Sequence, residues 1–178
     1  MITLLETMFI LALAHYVYES ILAPSWRLSL RYKLFALRDE ARALKGDCQG
    51  LFEDAHYACL QDCINTMIAS LHRYDVAAIV AAEFRYRKDS EFRRSIDMRD
   101  AILGSCDNPR AQSIRRRSVG LIARAVAVNS GMLCAPLCPF VLMGIGFSTL
   151  QKRLGKFAAL SRRELDGIAP ERLGIAIS

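Results

Sequence analysis

Two long stretches of the chain carry almost no charged side chains, and they dominate its pattern of hydrophobic and polar positions. Residues 2–23 contain Glu6, His15 and Glu19 but no lysine or arginine, and residues 125–150 contain no charged residue. As helices, these 22 and 26 residues would be about 33 and 39 Å long, longer than the roughly 30 Å hydrocarbon core of a bilayer. We therefore predict an N-terminal transmembrane helix at residues 1–24 and a second membrane segment at residues 113–151.

The second membrane segment is predicted to bend at its prolines. Pro136 and Pro139 each lack a backbone N–H and clash with the preceding helical turn. The cations that flank the segment form a basic collar of Arg115, Arg116, Arg117, Lys152 and Arg153. Because positive charge stays on the cytoplasmic side, the collar favours a re-entrant hairpin. The cost of a turn at membrane depth favours a kinked crossing instead, and both alternatives stay open.

Small residues recur at every fourth position where the second segment begins. They are Ala123, Ala127, Gly131 and Ala135. Such a stripe allows another helix backbone to approach closely in lipid. We interpret it as a helix-packing stripe that pairs with residues 2–23 or with a second copy. The alternative is the ordinary abundance of alanine in an apolar helix.

Residues 25–112 show helical spacing throughout and are predicted to form a cytoplasmic helical region. The apolar face of its first helix consists of Leu30, Leu34, Leu37, Ala41 and Leu44. Gly46 is placed to end this helix. The apolar face of the second helix consists of Phe52, His56, Cys59, Cys63, Met67 and Leu71. Two helices with one apolar face each predict a bundle.

A third helix is predicted after Asp75, whose side chain can cap it. Its inward face is expected to consist of Val76, Ile79, Val80 and Phe84. After a loop at residues 106–110, Pro109 can open the next helix. Residues 152–178 are assigned to a basic C-terminal tail.

The charges help to orient the predicted segments. The chain has 24 basic and 18 acidic residues, which give a formal net charge of +6. Arg27, Arg31 and Lys33 follow the first apolar stretch directly, which places this end of the helix in the cytoplasm. We predict an inner-membrane location with the bulk of the chain cytoplasmic, and an anionic phospholipid membrane as a partner.

The familiar motifs of catalysis and cofactor binding are absent from the sequence. We find no Walker-type loop, dinucleotide-binding glycine pattern, HExxH motif or nucleophile elbow. We therefore assign no catalytic, cofactor or metal site and do not expect an enzyme. His56, Cys59 and Cys63 share a helical face that could bind zinc with a fourth ligand from Cys48 or Cys106, but the same face fits a helix core better.

The arginine-rich stretch at residues 84–100 does not predict a nucleic-acid surface. Glu83 with Arg87, and Asp89 with Arg93, lie four residues apart, which is typical of a solvated helix with weak ion pairs. We therefore do not expect nucleic acid as a partner.

Together these patterns predict an all-α membrane protein with an N-terminal transmembrane anchor, a cytoplasmic helical bundle and a second, proline-bent membrane segment. We expect it to act in assembly or regulation through helix–helix and lipid or partner contacts, as a homo-oligomer or with a protein partner. The first alternative is a membrane-perturbing effector, such as a toxin-like defence protein. The second is a soluble helical binding module whose core contains both apolar stretches.

Overall fold

The computed structural model describes residues 2–47, 54–131 and 147–175, and side chains at residues 3–47, 54–131 and 153–168. These residues form helices and no strand, so the all-α prediction is confirmed. The helices are α1 (Ile2–Val17), a π-helical turn (Tyr18–Leu22), α2 (Ala23–Asp47), α3 (Asp54–Ala69), a 3-10 turn (Leu71–Arg73), α4 (Val76–Lys88), α5 (Ser90–Gly104), α6 (Pro109–Asn129), α7 (Phe147–Ala158) and α8 (Arg162–Ile175).

Short polar side chains cap three of these helices at their N-termini. The Asp75 carboxylate accepts a hydrogen bond from the Ala78 N–H at 2.7 Å, which confirms the predicted cap of α4. Asp89 caps α5 in the same way. Asn108 caps α6, and Pro109 occupies the first turn as predicted. The helix boundaries in this part of the chain therefore follow from local sequence.

Helices α2 and α6 pack side by side in opposite directions. Polar contacts fix their register at three levels: Arg110 with Asp47 at 3.9 Å, Arg117 with Glu40 at 2.5 Å, and Arg27 with Asn129 at 2.7 Å. Positions rise along α6 as their partners fall along α2, so the pair is antiparallel. The C-terminal end of α6 therefore lies beside the first turns of α2.

Helices α3 and α5 complete a four-helix bundle with α2 and α6. Lys45 in the last turn of α2 pairs with Asp54 at the start of α3. Between α3 and α5, Arg99 lies 2.9 Å from Asp62 and His56 lies 3.1 Å from Ser105, which makes these helices antiparallel too. The four helices thus alternate in direction, as in up-and-down bundles.

The bundle core contains most of the residues that the helical spacing selected. The predicted face of α2 is confirmed, since Leu30, Leu34, Leu37, Ala41 and Leu44 are all buried. On the second helix Cys63 and Met67 are buried as predicted, together with Leu60 and Ile64. Burying each large aliphatic side chain contributes about 1.5–3 kcal/mol.

The predicted inward face of α4 is wrong at three of its four positions, and only Ile79 is partly buried against the core as predicted. Ala78, Ala81 and Ala82 are buried, whereas Val80 and Phe84 are 63% and 57% exposed and Val76 is 38% exposed. Residues 76–82 are apolar on every side, so their spacing selects no face. The alanines allow the α4 backbone to pack more closely than valine and phenylalanine would.

The region assigned to a C-terminal tail contains most of α7 and all of α8, and both helices pack on the bundle. Their core residues are Leu154, Phe157, Leu160, Leu165 and Ile168. Phe157 packs edge-to-face on the buried Tyr74 ring, with centroids 5.2 Å apart. Lys156 lies 2.8 Å from Asp97, and both this carboxylate and the Tyr86 hydroxyl hold the pKa of Lys156 above its usual value. Residues 153–168 and residues 109–129 therefore belong to one core.

Candidate membrane-proximal junction

Helix α1 exposes an apolar surface on all sides. Every side chain from Thr3 to Val17 is exposed, including Phe9 at 70%. Leaving so many large apolar side chains in water forgoes about 1.5–3 kcal/mol for each. Contiguous apolar surface of this size marks a membrane or a protein interface.

Helix α1 is part of the one described helix that is long and apolar enough to span a membrane. That helix is continuous from Thr3 to Asp47. Its apolar stretch lies entirely outside the core, since no part of the spanning window is buried. The N-terminal region can therefore cross a bilayer by length and composition.

A π-helical turn separates α1 from α2. The Ala23 N–H bonds to the Tyr18 carbonyl five residues back, and Pro24 follows directly. Pro24 has no N–H to donate, and its ring would clash with the carbonyl four residues earlier in a regular α-helix. The wider turn accommodates this carbonyl, so the helix continues past the proline instead of ending there.

The turn is bound to the C-terminal end of α6. The Tyr18 hydroxyl donates to the Val128 carbonyl at 2.9 Å, and Arg27 Nε donates to Asn129 Oδ1 at 2.7 Å. Gly131 has a φ of +70°, and a Cβ built on it would lie 3.4 Å from Glu19 Oε1. The last described residue before the 132–146 stretch therefore lies beside the base of α1.

Asn129 ties this end of α6 to the 3-10 turn as well. Its side-chain amide donates to the Leu71 carbonyl at 2.7 Å and to the Tyr74 carbonyl at 2.8 Å. Ser130 Oγ accepts from the Val76 N–H at 3.1 Å, at the start of α4. We call the contacts made by Tyr18, Arg27, Asn129 and Ser130 the junction.

Positive charge is concentrated near the junction. Desolvation lowers the pKa of His72, and the charges of Arg73, Arg27 and Arg31 lower it further. Arg73 also pairs with Asp166, while Arg31 is exposed. Tyr18 and Trp26 pack edge-to-face with centroids 6.0 Å apart, at the end of the apolar helix where aromatic residues are frequent in membrane proteins.

The predicted bend and packing stripe lie only partly within the described residues. Pro136, Pro139 and Ala135 lie outside them. Ala123 is half-buried, Ala127 is exposed, and Gly131 lies against Glu19. The face of α6 that enters the core is instead formed by neighbours such as Ile122 and Ala125.

Three residues of the basic collar form ion pairs with other helices. Arg115 pairs with Asp100 at 2.5 Å, Arg117 with Glu40 at 2.5 Å, and Arg153 with Glu83 at 3.4 Å. Arg116 is exposed, and the Lys152 side chain lies outside the described residues. These pairs link α6 to α5 and α2, and α7 to α4.

The thiol face of α3 forms part of the helix packing. Cys63 is buried and hydrogen-bonded to Cys59, and this bond lowers the pKa of Cys59 to about 7 although burial opposes the shift. His56 contacts Ser105, the residue that follows α5. Across the part of the chain that the structure describes, no group of three or more His, Cys, Asp or Glu residues is placed to hold a metal ion.

Sequence reasoning missed the junction, because its contacts join Tyr18, Leu71 and Asn129 across more than 50 positions of chain. The local signals were Arg27, directly after the first apolar stretch, and the polar pair Asn129–Ser130 near the start of the uncharged stretch. Comparison with protein-family models, curated proteins and solved structures finds no match to this chain.

Proposed function

We propose that the chain is a small integral membrane protein whose helical bundle is held at the cytoplasmic face of the inner membrane. It acts in assembly or regulation through helix–helix contacts and contacts with anionic lipid or a protein partner. The observation that carries the proposal is the exposure of α1 on all sides, in a helix that continues into the folded bundle. A soluble module would need both apolar stretches in its core.

The charges at the junction support the orientation. Arg27 and Arg31 follow the apolar helix directly and lie close enough to His72 to lower its pKa. Cations at this level stay on the cytoplasmic side and attract anionic headgroups, at about 1 kcal/mol for each cation near the surface. This arrangement favours a bundle that faces the cytoplasm with its junction against the headgroups.

Residues 113–129 of the predicted second membrane segment lie in α6 and pack in the bundle core, so the remaining segment is shorter than 113–151. The flanks of this shorter segment support a return to the same side. Residues 132–146 lie outside the described residues, but both neighbouring regions can be compared. Residues 109–129 and 153–168 share one core, with Phe157 against Tyr74 and Arg153 against Glu83. A crossing would pull α7 and α8 out of that core. We therefore favour the re-entrant alternative over the kinked crossing.

Topology mapping tests this proposal. Single cysteines at Thr3→Cys, Asn65→Cys and Arg163→Cys, on a background without native cysteines, are treated in intact cells with a membrane-impermeant thiol reagent. We expect labelling at Thr3→Cys only, and labelling of the other two after permeabilisation. External labelling of Arg163→Cys would instead indicate a crossing.

A matched pair of substitutions tests whether α1 is the anchor. Leu13 on α1 and Met98 on α5 are 54% and 55% exposed. An arginine at the centre of a membrane helix costs about 3 kcal/mol of insertion free energy. Leu13→Arg should therefore release much of the chain into the carbonate-soluble fraction, and Met98→Arg should not. Wild-type protein in the soluble fraction without detergent would contradict the proposal.

A further inference from the structure

Helix α4 exposes an apolar face that the bundle does not use. Val76, Val80 and Phe84 follow one another at intervals of four residues, so they lie on one side of the helix, opposite the buried alanines. We call these three residues the α4 stripe. Val80 and Phe84 are more exposed than most apolar side chains of the bundle.

The α4 stripe begins at the junction. The Val76 N–H donates to Ser130 Oγ, and the carbonyl of Tyr74, two residues earlier, accepts from Asn129. Asn129 also accepts from Arg27 in the first turns of α2, and the neighbouring Val128 carbonyl accepts from Tyr18 at the base of α1. The first turn of α4 is therefore at the end of the bundle from which the apolar helix leaves.

The C-terminal end of α4 lies at about the same height along the bundle axis as its first turn. Arg99 on α5 pairs with Asp62 on the antiparallel helix α3, so these two positions lie at the same height along the bundle axis. From there α5 rises about 13 Å back to Ser90 and α3 rises about 10 Å to Ala69. Both helices thus reach the level of the 3-10 turn, and α4, which ends just before α5, spans this end of the bundle.

The charges around the stripe match an anionic lipid surface. Arg87 is exposed, and Lys88 lies 4.5 Å above the Phe84 ring. The nearby Glu83 carboxylate is balanced by Arg87 and Arg153, and Asp89 is balanced by Arg85. An apolar face edged by cations is typical of helices that lie in the headgroup region.

We propose that the α4 stripe lies in the headgroup–acyl boundary of the membrane that α1 enters, so that the bundle rests on lipid at two points. The inference rests on the proposed function, since it needs α1 in a bilayer. Contacts through both α1 and the α4 stripe would fix the tilt of the bundle relative to the membrane plane. A single helix crossing leaves this tilt free.

The test places an environment-sensitive fluorophore at one cysteine in the full chain, on the cysteine-free background. The positions are Val80→Cys on the stripe, Leu13→Cys on α1 and Met98→Cys as the exposed apolar control. The labelled proteins are reconstituted in vesicles of phosphatidylcholine and phosphatidylglycerol with a spin-labelled lipid as quencher. We expect quenching at Leu13→Cys and Val80→Cys to exceed that at Met98→Cys several-fold.

The outcomes separate this inference from the proposed function. Quenching at Leu13→Cys together with a Val80→Cys label as weakly quenched as Met98→Cys would overturn the α4 contact and leave the anchor intact. Disulfide formation between Val80→Cys copies without lipid quenching would assign the stripe to a second copy and overturn it as well. Absence of quenching at Leu13→Cys would overturn both proposals.

Discussion

Residues 3–17 and 23–47 form two parts of one continuous helix, yet every side chain of the first part is exposed and six of the second are buried. The difference follows from the distribution of apolar residues. Helix α2 has one apolar face with charged side chains opposite, which suits a bundle in water. Helix α1 is apolar on all sides and has no polar face to present to water.

The boundary between the two parts is marked chemically as well as by burial. Pro24 forces the wide turn, Tyr18 and Trp26 pack together there, and Arg27 is the first cation of the chain. Length and hydropathy identify the helix that can span a membrane. The contacts of Tyr18 and Arg27 with α6 define where the bundle begins.

The largest expected difference between the two parts is in folding stability. Leu34 is fully buried, and truncating such a leucine costs about 2–5 kcal/mol. Leu34→Ala should therefore lower the free energy of unfolding in detergent by that amount. Leu13→Ala removes the same atoms from an exposed site and should change it by about 0.5 kcal/mol or less. Equal losses in denaturant titrations would mean that α1 packs on the bundle.

The junction should make the next largest contribution to the free energy of unfolding. Asn129→Ala removes two donated hydrogen bonds and one accepted from Arg27, leaving half-buried carbonyls without these donors. We expect a loss of about 2–3 kcal/mol in the free energy of unfolding. Ser130→Ala, the neighbouring control, removes the single bond to the Val76 N–H and should cost about 1 kcal/mol. Similar losses for both variants would contradict the central role of Asn129.

A smaller loss of stability is expected for a substitution at the point where the apolar helix joins the bundle. Tyr18→Phe removes only the hydrogen bond to the Val128 carbonyl, worth about 1 kcal/mol. Amide hydrogen exchange of residues 18–22 should accelerate while core amides of α2 stay protected. Tyr16→Phe, at an exposed position on α1, provides the control and should leave exchange unchanged. Faster exchange throughout α2 would show that the bond supports the whole bundle.

The sequence allowed the α2 face, the Asp75 cap and the Pro109 start to be predicted, because each depends on residues within one or two helical turns. Apart from Ile79, the α4 face could not be predicted, since residues 76–82 are apolar on every side and the buried side depends on which residues pack closest to the core. Ala78, Ala81 and Ala82 are buried because their small side chains allow the α4 backbone to pack closely on its neighbours.

Helices α7 and α8 were missed for a different reason. Their apolar residues are separated by the cations Lys152, Arg153 and Lys156, which resemble a solvated tail. In the fold, Arg153 and Lys156 pair with Glu83 and Asp97, more than 50 positions away. Of the candidate site, the cations after α1 were visible in the sequence, while the contact of α1 with α6 needed the tertiary arrangement.

The smallest expected effect is electrostatic and concerns His72, next to the junction. Its pKa in the folded protein lies below the usual 6.5, because of desolvation and the charges of Arg73, Arg27 and Arg31. As pH falls through 6.5, the unfolded chain takes up this proton first. His72 therefore contributes stability that is fully present above that pH and is lost as pH falls below it.

An NMR titration of His72 in detergent measures this pKa directly. Arg31→Gln should raise the pKa of His72 modestly, because it removes one positive charge and leaves the desolvation in place. Arg116→Gln, on an exposed position of α6, should leave it unchanged. Anionic vesicles should raise it in wild-type protein, since headgroup phosphates at the junction offset the arginine charges. An unchanged pKa on anionic lipid would mean that the junction stands away from the membrane surface.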